Sequence, residues 1–204
     1  VDVMKDVLMN RIGFRESKME LDSFETVRSQ TSGWAVTRRI TGTTEKANDL
    51  ENELRFDLGA YLITDHIGRV SLKKWDPYET VVASLTDKDF LGAGPTWEAN
   101  GEQTINQVIA YYGWTGSGDD LDEYTAAHSL NDLVSQYNYQ QVLQFEHKDR
   151  WTTGASSRQI GAWASAVFDR YSRHPSIIRG MLDRSWLALE PGDMVAVSTT
   201  RAPS

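Results

Sequence analysis

The 204-residue sequence contains no cysteine, which excludes disulfide bonds and thiolate metal sites. It also lacks any apolar run near the roughly 18–20 residues that a membrane-spanning helix needs, and no secretory signal pattern opens the chain. We therefore expect no membrane span. The first residue is Val1 rather than methionine, which is compatible with a piece of a longer protein.

Positive charge is scarce and scattered. Lys and Arg number 21 against 29 Asp and Glu, which gives a net charge of −8 and a pI of about 5.0. The pairs Arg38–Arg39 and Lys73–Lys74 stand alone. Because nucleic-acid binding needs clustered cations that displace counterions, we expect no specific nucleic-acid binding. An acidic surface would instead let DNA pass without adhering.

Catalytic and metal-binding motifs are missing as well. No histidine pair has metal-ligand spacing, and neither a nucleophile elbow, a phosphate loop nor a dinucleotide fingerprint is present. The four histidines stand singly, at His66, His128, His147 and His174. We therefore predict no catalytic, cofactor-binding or metal-ligating residue and no cofactor.

One Gly-rich acidic loop, residues 116–123, needs separate consideration. Its carboxylates are hard ligands of the kind that calcium prefers. Their spacing does not match the twelve-residue calcium loop, so we favour a solvated loop.

Tryptophan, in contrast, is abundant, with seven residues in the chain. Most are expected in the core. Trp97 and Trp114 follow or adjoin Gly-rich segments and are expected to be the most exposed. Aromatic rings of this kind stack on sugars, so an alternative function is a carbohydrate-binding or carbohydrate-cleaving module that uses Trp97, Trp114 and the acids from Asp119 to Glu123.

The best-marked structural pattern is a helix that begins at a capping box of Ser156 and Gln159 and ends before Pro175. One apolar stripe at helical spacing follows it, formed by Ile160, Trp163, Ala164, Val167, Phe168 and Tyr171. Strands are predicted at 177–182, 187–189 and 194–197. The Pro-Gly pair at 191–192 predicts a type II turn before the last of them.

Upstream, the patterns predict a short helix from a cap at Asp2 to Ile12, and a second helix that opens at residues 42–45 and stops at Gly59. A hairpin is predicted over 61–73 with a loop at 65–68. Further strands are predicted at 34–40, at 105–112 and within 137–147, while 15–28 receives no assignment. These elements indicate an α+β fold, mainly of antiparallel strands with about three helices.

Several segments, in this order, resemble the hub or tip proteins of bacteriophage tails. The stretch Leu-Ala-Leu-Glu-Pro-Gly-Asp-Met-Val-Ala-Val at 187–197 is similar to the family's leucine-x-leucine-x-x-glycine-aspartate-x-valine-x-valine turn and strand. Shorter likenesses lie at residues 6–13, 20–24, 49–72 and 105–112, the last matching an isoleucine-asparagine-x-valine strand. Residues 135–137 match the family's serine-x-x-x-tyrosine-glycine segment only loosely, because Asn138–Tyr139 stands where that segment has Tyr-Gly.

This resemblance implies a tail-tube-like β-barrel and a non-enzymatic role. The implied protein is a trimeric ring that joins the tail tube to the tip and lets DNA pass. Its partners would be two further copies, the tail-tube or distal tail protein, the tape-measure protein, and tip or fibre proteins. It would reside in the virion, at the tail tip, after assembly in the host cytoplasm. We expect an α+β section at 1–80 and a barrel section at 81–204 that carries the packed helix 156–173.

Overall fold

The computed structural model describes residues 1–36, 38, 46–65, 67–76, 79–92, 94–99, 103–116, 118, 120–154, 157–173 and 176–200. Within them lie the helices α1 (Asp2–Asp6, continued by a π-helical segment Val7–Ile12), α2 (Leu21–Gln30), α3 (Ala47–Asp57), α4 (Leu133–Tyr139) and α5 (Ser157–Tyr171). The strands are β1 (Ala60–Thr64), β2 (Val70–Lys74), β3 (Ala83–Thr86), β4 (Thr96–Ala99), β5 (Gln107–Trp114), β6 (Tyr124–Asn131), β7 (Gln144–Lys148), β8 (Ser176–Arg179) and β9 (Val195–Ser198).

The strands form four small sheets. β1 pairs with β2 and β4 with β8, both antiparallel, while β3 pairs with β9 in parallel. The fourth sheet has the order β6-β5-β7, with β6 antiparallel and β7 parallel to β5. The predicted α+β class is confirmed, but five α-helices replace the expected three, and no barrel closes within the described residues. The described strands are divided among four separate sheets, and two of the strand pairs, β3–β9 and β5–β7, are parallel. They therefore do not form the continuous sheet that closes on itself in a barrel.

The first core lies between α1, α2, α3 and the β1–β2 hairpin. Leu50, Leu54 and Leu58 recur at helical spacing, are buried, and pack with the core residues Met4 and Phe24. Gly59 then ends the helix at φ 59°, as predicted. This packing holds the last residue of α3, Asp57, in the interior.

The second core lies between α5 and the three-stranded sheet. Val108, Ala110 and Tyr112 alternate along β5 and face the helix, which is the pattern of a strand with one buried face. Ile160, Trp163 and Ala164 of α5 pack on them, which confirms the predicted stripe. Trp163 Nε1 also donates a hydrogen bond to the Phe56 carbonyl at 3.1 Å, so α5 is tied to α3 and the first core.

Some elements differ from the sequence predictions because a side-chain cap outweighs local propensity. Asp132 accepts a hydrogen bond from the Ser135 N–H at 2.9 Å and starts α4, a helix that the sequence patterns did not predict. Likewise Asp183 caps a 3₁₀ turn at Arg184–Trp186, and the strand predicted at 187–189 is wrong. Glu20 caps α2 in a segment that received no assignment. The strand predicted within 137–147 is confirmed as β7.

Other differences concern where the elements begin and end, and which of the predicted residues the structure describes. Val1, not Asp2, is the residue before α1, whereas Gly13 ends the helical segment at φ 85° as expected. The predicted hairpin is confirmed, with Thr64 paired to Val70 at its closed end. Of the strand predicted at 34–40, the described residues show one bridge, between Val36 and Thr152. Residues 37, 39–45 and the cap Ser156 lie outside the described residues.

Candidate functional site

Three side chains that can ligate a cation or exchange a proton meet between the two cores. They are Asp57 at the end of α3, His147 on β7, and Asp149 just after β7; one ligand atom from each lies within 4.8 Å of the other two. Strand alternation turns His147 inward, while its neighbours Glu146 and Lys148 face outward. The Asp149 N–H donates to the Tyr111 carbonyl at 2.8 Å and so fixes the chain beside β5.

Hydrogen bonds hold this Asp57–His147–Asp149 cluster in one geometry. His147 Nε2 lies 2.7 Å from Asp57 Oδ1. Asp149 Oδ1 accepts the backbone N–H groups of Trp151 and Thr152 at 2.7 and 2.8 Å. The Thr152 hydroxyl in turn accepts a hydrogen bond from Gln159 Nε2 of α5 at 2.7 Å. The cluster therefore connects α3, β7 and α5.

Burial sets the protonation of the cluster. Loss of hydration, then the negative charge of Asp149 and a hydrogen bond to it, raise the pKa of Asp57 well above its usual value. Burial also lowers the pKa of His147 to about 4, although the charge of Asp149 opposes the shift. Both pKa shifts favour the uncharged forms, so burial disfavours an ion pair at the Asp57–His147 contact.

His147 alone in the cluster reaches the surface. Its side chain is 14% exposed, against 2% for Asp57. Its ring packs against Phe56 and Trp163, with centroids 5.0 and 4.5 Å away. Outside it lies a depression of about 410 Å³ lined by Asn52, Glu53, Phe56, His147, Lys148 and Arg150.

A second concave feature is an aromatic cleft between the hairpin and α5. It has a volume of about 230 Å³ and is lined by Arg55, Phe56, Gly59, Ala60, Tyr61, Trp75, Trp163, Ala166, Val167, Arg170 and Tyr171. The guanidinium of Arg170 lies over the rings of Trp75 and Tyr171, 5.7 and 5.3 Å from their centroids. The cleft is smaller than the 300–1,000 Å³ or so of typical ligand pockets.

The two tryptophans selected from the sequence lie in different sheets. Trp97, on β4, is half-buried, and its Nε1 donates to Thr199 Oγ1 at 3.3 Å. Trp114, at the end of β5, donates to the Gly118 carbonyl at 2.6 Å. The guanidiniums of Arg38 and Arg150 lie 5.3 and 5.4 Å from the Trp114 ring centroid. These cations occupy ring surface on which a sugar would have to stack.

The acidic loop gives no assembled ligand group in its described part. Leu121–Glu123 forms a 3₁₀ turn, and Glu123 accepts a hydrogen bond from Thr115 Oγ1. Asp119 lies outside the described residues. None of the described acidic residues of this loop lies in a group of three possible metal ligands. Within the described residues, such a group is formed by the Asp57–His147–Asp149 cluster.

Sequence reasoning assigned no role to any histidine, and it missed this cluster. His66 and His174 lie outside the described residues, and His128 is half-buried on β6. The alternation of His147 and Asp149 at the end of β7 is a weak local signal. Asp57 is 90 residues from His147, and only the packing of α3 brings it there.

Helix α4 has an exposed apolar face. Leu133, Val134 and Tyr137 are 72%, 69% and 76% exposed, and Val142 beyond the helix is 54% exposed. Apolar side chains grouped on one surface are typical of contact sites between proteins. In the described part of the chain, no helix has both the length and the apolar character needed to cross a bilayer.

Comparison with known proteins finds a shared fold and no match in sequence. No protein-family model matches the chain, and no curated protein matches it in sequence. The tail protein from Neisseria meningitidis MC58 aligns with 87% of this chain at 12% identity and a TM-score of 0.51. The 43 kDa tail protein of prophage MuSo2 from Shewanella oneidensis aligns with 89% at 12% identity and a TM-score of 0.44. The chain spans 56% of the length of each.

The chain therefore shares the fold of the Neisseria tail protein over most of its own length. At 12% identity this likeness establishes the fold alone. It supports the resemblance to tail proteins that the sequence motifs indicated.

Proposed function

We propose that this chain is a structural component of a phage tail or a related particle, and specifically a hub or tip subunit. In this proposal three copies form a ring that connects the tail tube to the tip and lets DNA pass. The observation that carries it is the shared fold with the Neisseria tail protein across 87% of the chain. The ordered likeness of the segments at 6–13, 49–72, 105–112 and 187–197 to hub motifs supports the finer assignment.

The described surface is compatible with assembly. The exposed face of α4 offers a contact for another subunit, and β6 and β7 are the two edge strands of the three-stranded sheet. The net charge of −8 suits a passage that DNA must cross without binding. We further propose that the protein is not an enzyme, needs no cofactor and acts within the virion tail tip, with other tail proteins as partners.

The deciding experiment measures the molecular mass of the chain in solution by light scattering, over a series of rising protein concentrations. We expect a mass three times 23.0 kDa at the upper end, because closed rings form from repeated identical contacts. Electron microscopy of that species is expected to show rings with three-fold symmetry. A monomer at every concentration, alone and with tail-tube protein added, would contradict the hub proposal.

The carbohydrate-binding alternative predicts different results. A module that uses Trp97 and Trp114 would stay monomeric, and its tryptophan fluorescence would change on addition of bacterial glycans. Trp97→Ala would remove that response. The cations around Trp114 and the separation of the two residues into different sheets favour the structural role.

A further inference from the structure

We propose that Asp57, His147 and Asp149 form a binding site for a divalent transition-metal cation, with Zn²⁺ as the best-matched ion. The inference rests on the chemistry and geometry of these side chains and is independent of the proposed tail role. It concerns residues that neither the sequence motifs nor the fold comparison single out.

The donor set fits such an ion. Two carboxylate oxygens and one imidazole nitrogen are ligands of zinc, and three protein ligands leave a fourth position for water. The three atoms already lie within 4.8 Å of one another. An imidazole donor favours zinc and its neighbours over calcium and magnesium, which prefer all-oxygen sites.

The charges of the cluster also favour a cation. Two buried carboxyl groups that touch each other cannot both stay ionised in a low-dielectric interior without compensation. Asp57 and Asp149 are 4% and 2% exposed, so hydration supplies little of that compensation. A dication between the groups would satisfy both carboxylates at once.

Contacts with neighbouring groups hold two of the ligands in a fixed orientation. Asp149 Oδ1 is held by the Trp151 and Thr152 N–H groups, which leaves its other oxygen for the ion. The His147 ring is confined between Phe56 and Trp163. Outer contacts that fix the orientation of ligands in this way are a regular part of metal sites.

A metal ion can reach the cluster from solvent, and the ligands can move to fit it. Metal bonds of about 2.0–2.1 Å would place tetrahedral ligand atoms roughly 3.3 Å apart, so His147 Nε2 must move about 0.6 Å away from Asp57 Oδ1. His147 can do so because it borders the 410 Å³ depression that opens to solvent. The wall of that depression has mixed charge, because Glu53 is ion-paired with Arg150 and Lys148 lies beside them.

The test is calorimetric titration of the purified chain with ZnCl₂ at pH 7, after treatment with a chelator. We expect one Zn²⁺ per chain with a Kd of about 10 µM or tighter. Saturating zinc is expected to raise the melting temperature by about 5 °C or more. Added Ca²⁺ or Mg²⁺ at the same concentration should give neither effect.

Variants locate the site. His147→Gln should weaken zinc binding by about tenfold or more, and the matched control His128→Gln, another half-buried strand histidine, should leave it unchanged. Should His147→Gln fail to fold, Asp149→Asn serves instead, because its amide oxygen still accepts the Trp151 and Thr152 N–H groups. Co²⁺ should give the visible absorption of a coordinated ion in the parent chain and not in these variants.

Two results would overturn the proposal. One is the absence of saturable one-to-one binding at about 1 mM zinc in a folded parent chain. The other is binding that persists equally in His147→Gln and Asp149→Asn, which would place the ion elsewhere on the surface.

Discussion

At the scale of single residues, the polar side chain of Asn106 bridges two segments of the chain from a buried position. It is fully buried at the start of β5. Its Nδ2 donates to the Gln141 carbonyl at 2.9 Å, and its Oδ1 accepts the Leu143 N–H at 2.6 Å. It therefore fixes the connection between α4 and β7. This gives a physical reason for asparagine in the isoleucine-asparagine-x-valine segment at 105–108.

We predict that Asn106→Ala lowers the free energy of unfolding by about 3 kcal/mol. The reason is that the Gln141 carbonyl and the Leu143 N–H lose their partner while they stay in a partly buried loop. Urea denaturation measures the change. Asn138→Ala, at an exposed position of α4, is the control and should stay within about 0.5 kcal/mol of the parent. Equal effects of the two substitutions would show that the Asn106 contacts contribute little.

At the scale of elements, Asp65 closes the β1–β2 hairpin. Its Oδ1 accepts the N–H groups of Ile67 and Arg69 at 3.0 and 2.8 Å, and its Oδ2 accepts Arg69 Nε at 2.8 Å. Loss of hydration pushes the pKa of Asp65 upwards, but the hydrogen bonds from Arg69 and Ile67 outweigh it. The pKa of Asp65 is therefore below its usual value of 3.8.

A lowered pKa in the folded state fixes the sign of the pH dependence. The contribution of Asp65 to stability is present above pH 3.8 and is lost as the pH falls through the folded-state pKa. Asp65→Asn should thus lower the urea midpoint at pH 7, and the gap from the parent should close towards about pH 2. Asp122→Asn, in the exposed part of the acidic loop, should show no such gap at pH 7. A gap for Asp65→Asn that is independent of pH would contradict this account.

The elements also show what sequence reasoning can reach. The α5 stripe and the turn at Gly192, whose φ is 89°, were predicted because each is specified within a few neighbouring residues. The helix α4 was missed because its start depends on a single cap at Asp132, whereas the strand predicted within 137–147 is confirmed as β7. The partners of β3 and β7 were not predictable, since parallel pairs such as β3–β9 join segments far apart in the chain. The Asp57–His147–Asp149 cluster depends on such distant contacts and was missed for the same reason.

At the scale of the whole molecule, the exposed face of α4 leads to a prediction about assembly. If the ring forms as proposed, Leu133 and Tyr137 are expected to be buried between subunits, because exposed apolar side chains of this size gain most from burial. The double variant Leu133→Glu and Tyr137→Glu should reduce the solution mass from the trimer to the monomer of 23.0 kDa. Its melting temperature at high dilution should match that of the parent.

The matched control is Ile67→Glu, which replaces an apolar residue that is 60% exposed in the hairpin loop. It should leave the trimer mass unchanged. A trimer that survives the α4 double variant would place the contact on another surface, such as the edges of the three-stranded sheet.

Trp151 has a further consequence for the order in which the molecule is made. It is 1% exposed and packs in the first core, whose other buried members lie between Met4 and Leu72. A ribosome adds about 5–20 residues per second, so roughly 4–16 s pass between the synthesis of Leu72 and that of Trp151. During this interval the first core lacks its largest side chain, and the nascent chain offers an apolar opening to chaperones. A translational pause shortly after residue 72 would prolong that exposure, whereas a pause after residue 151 would not.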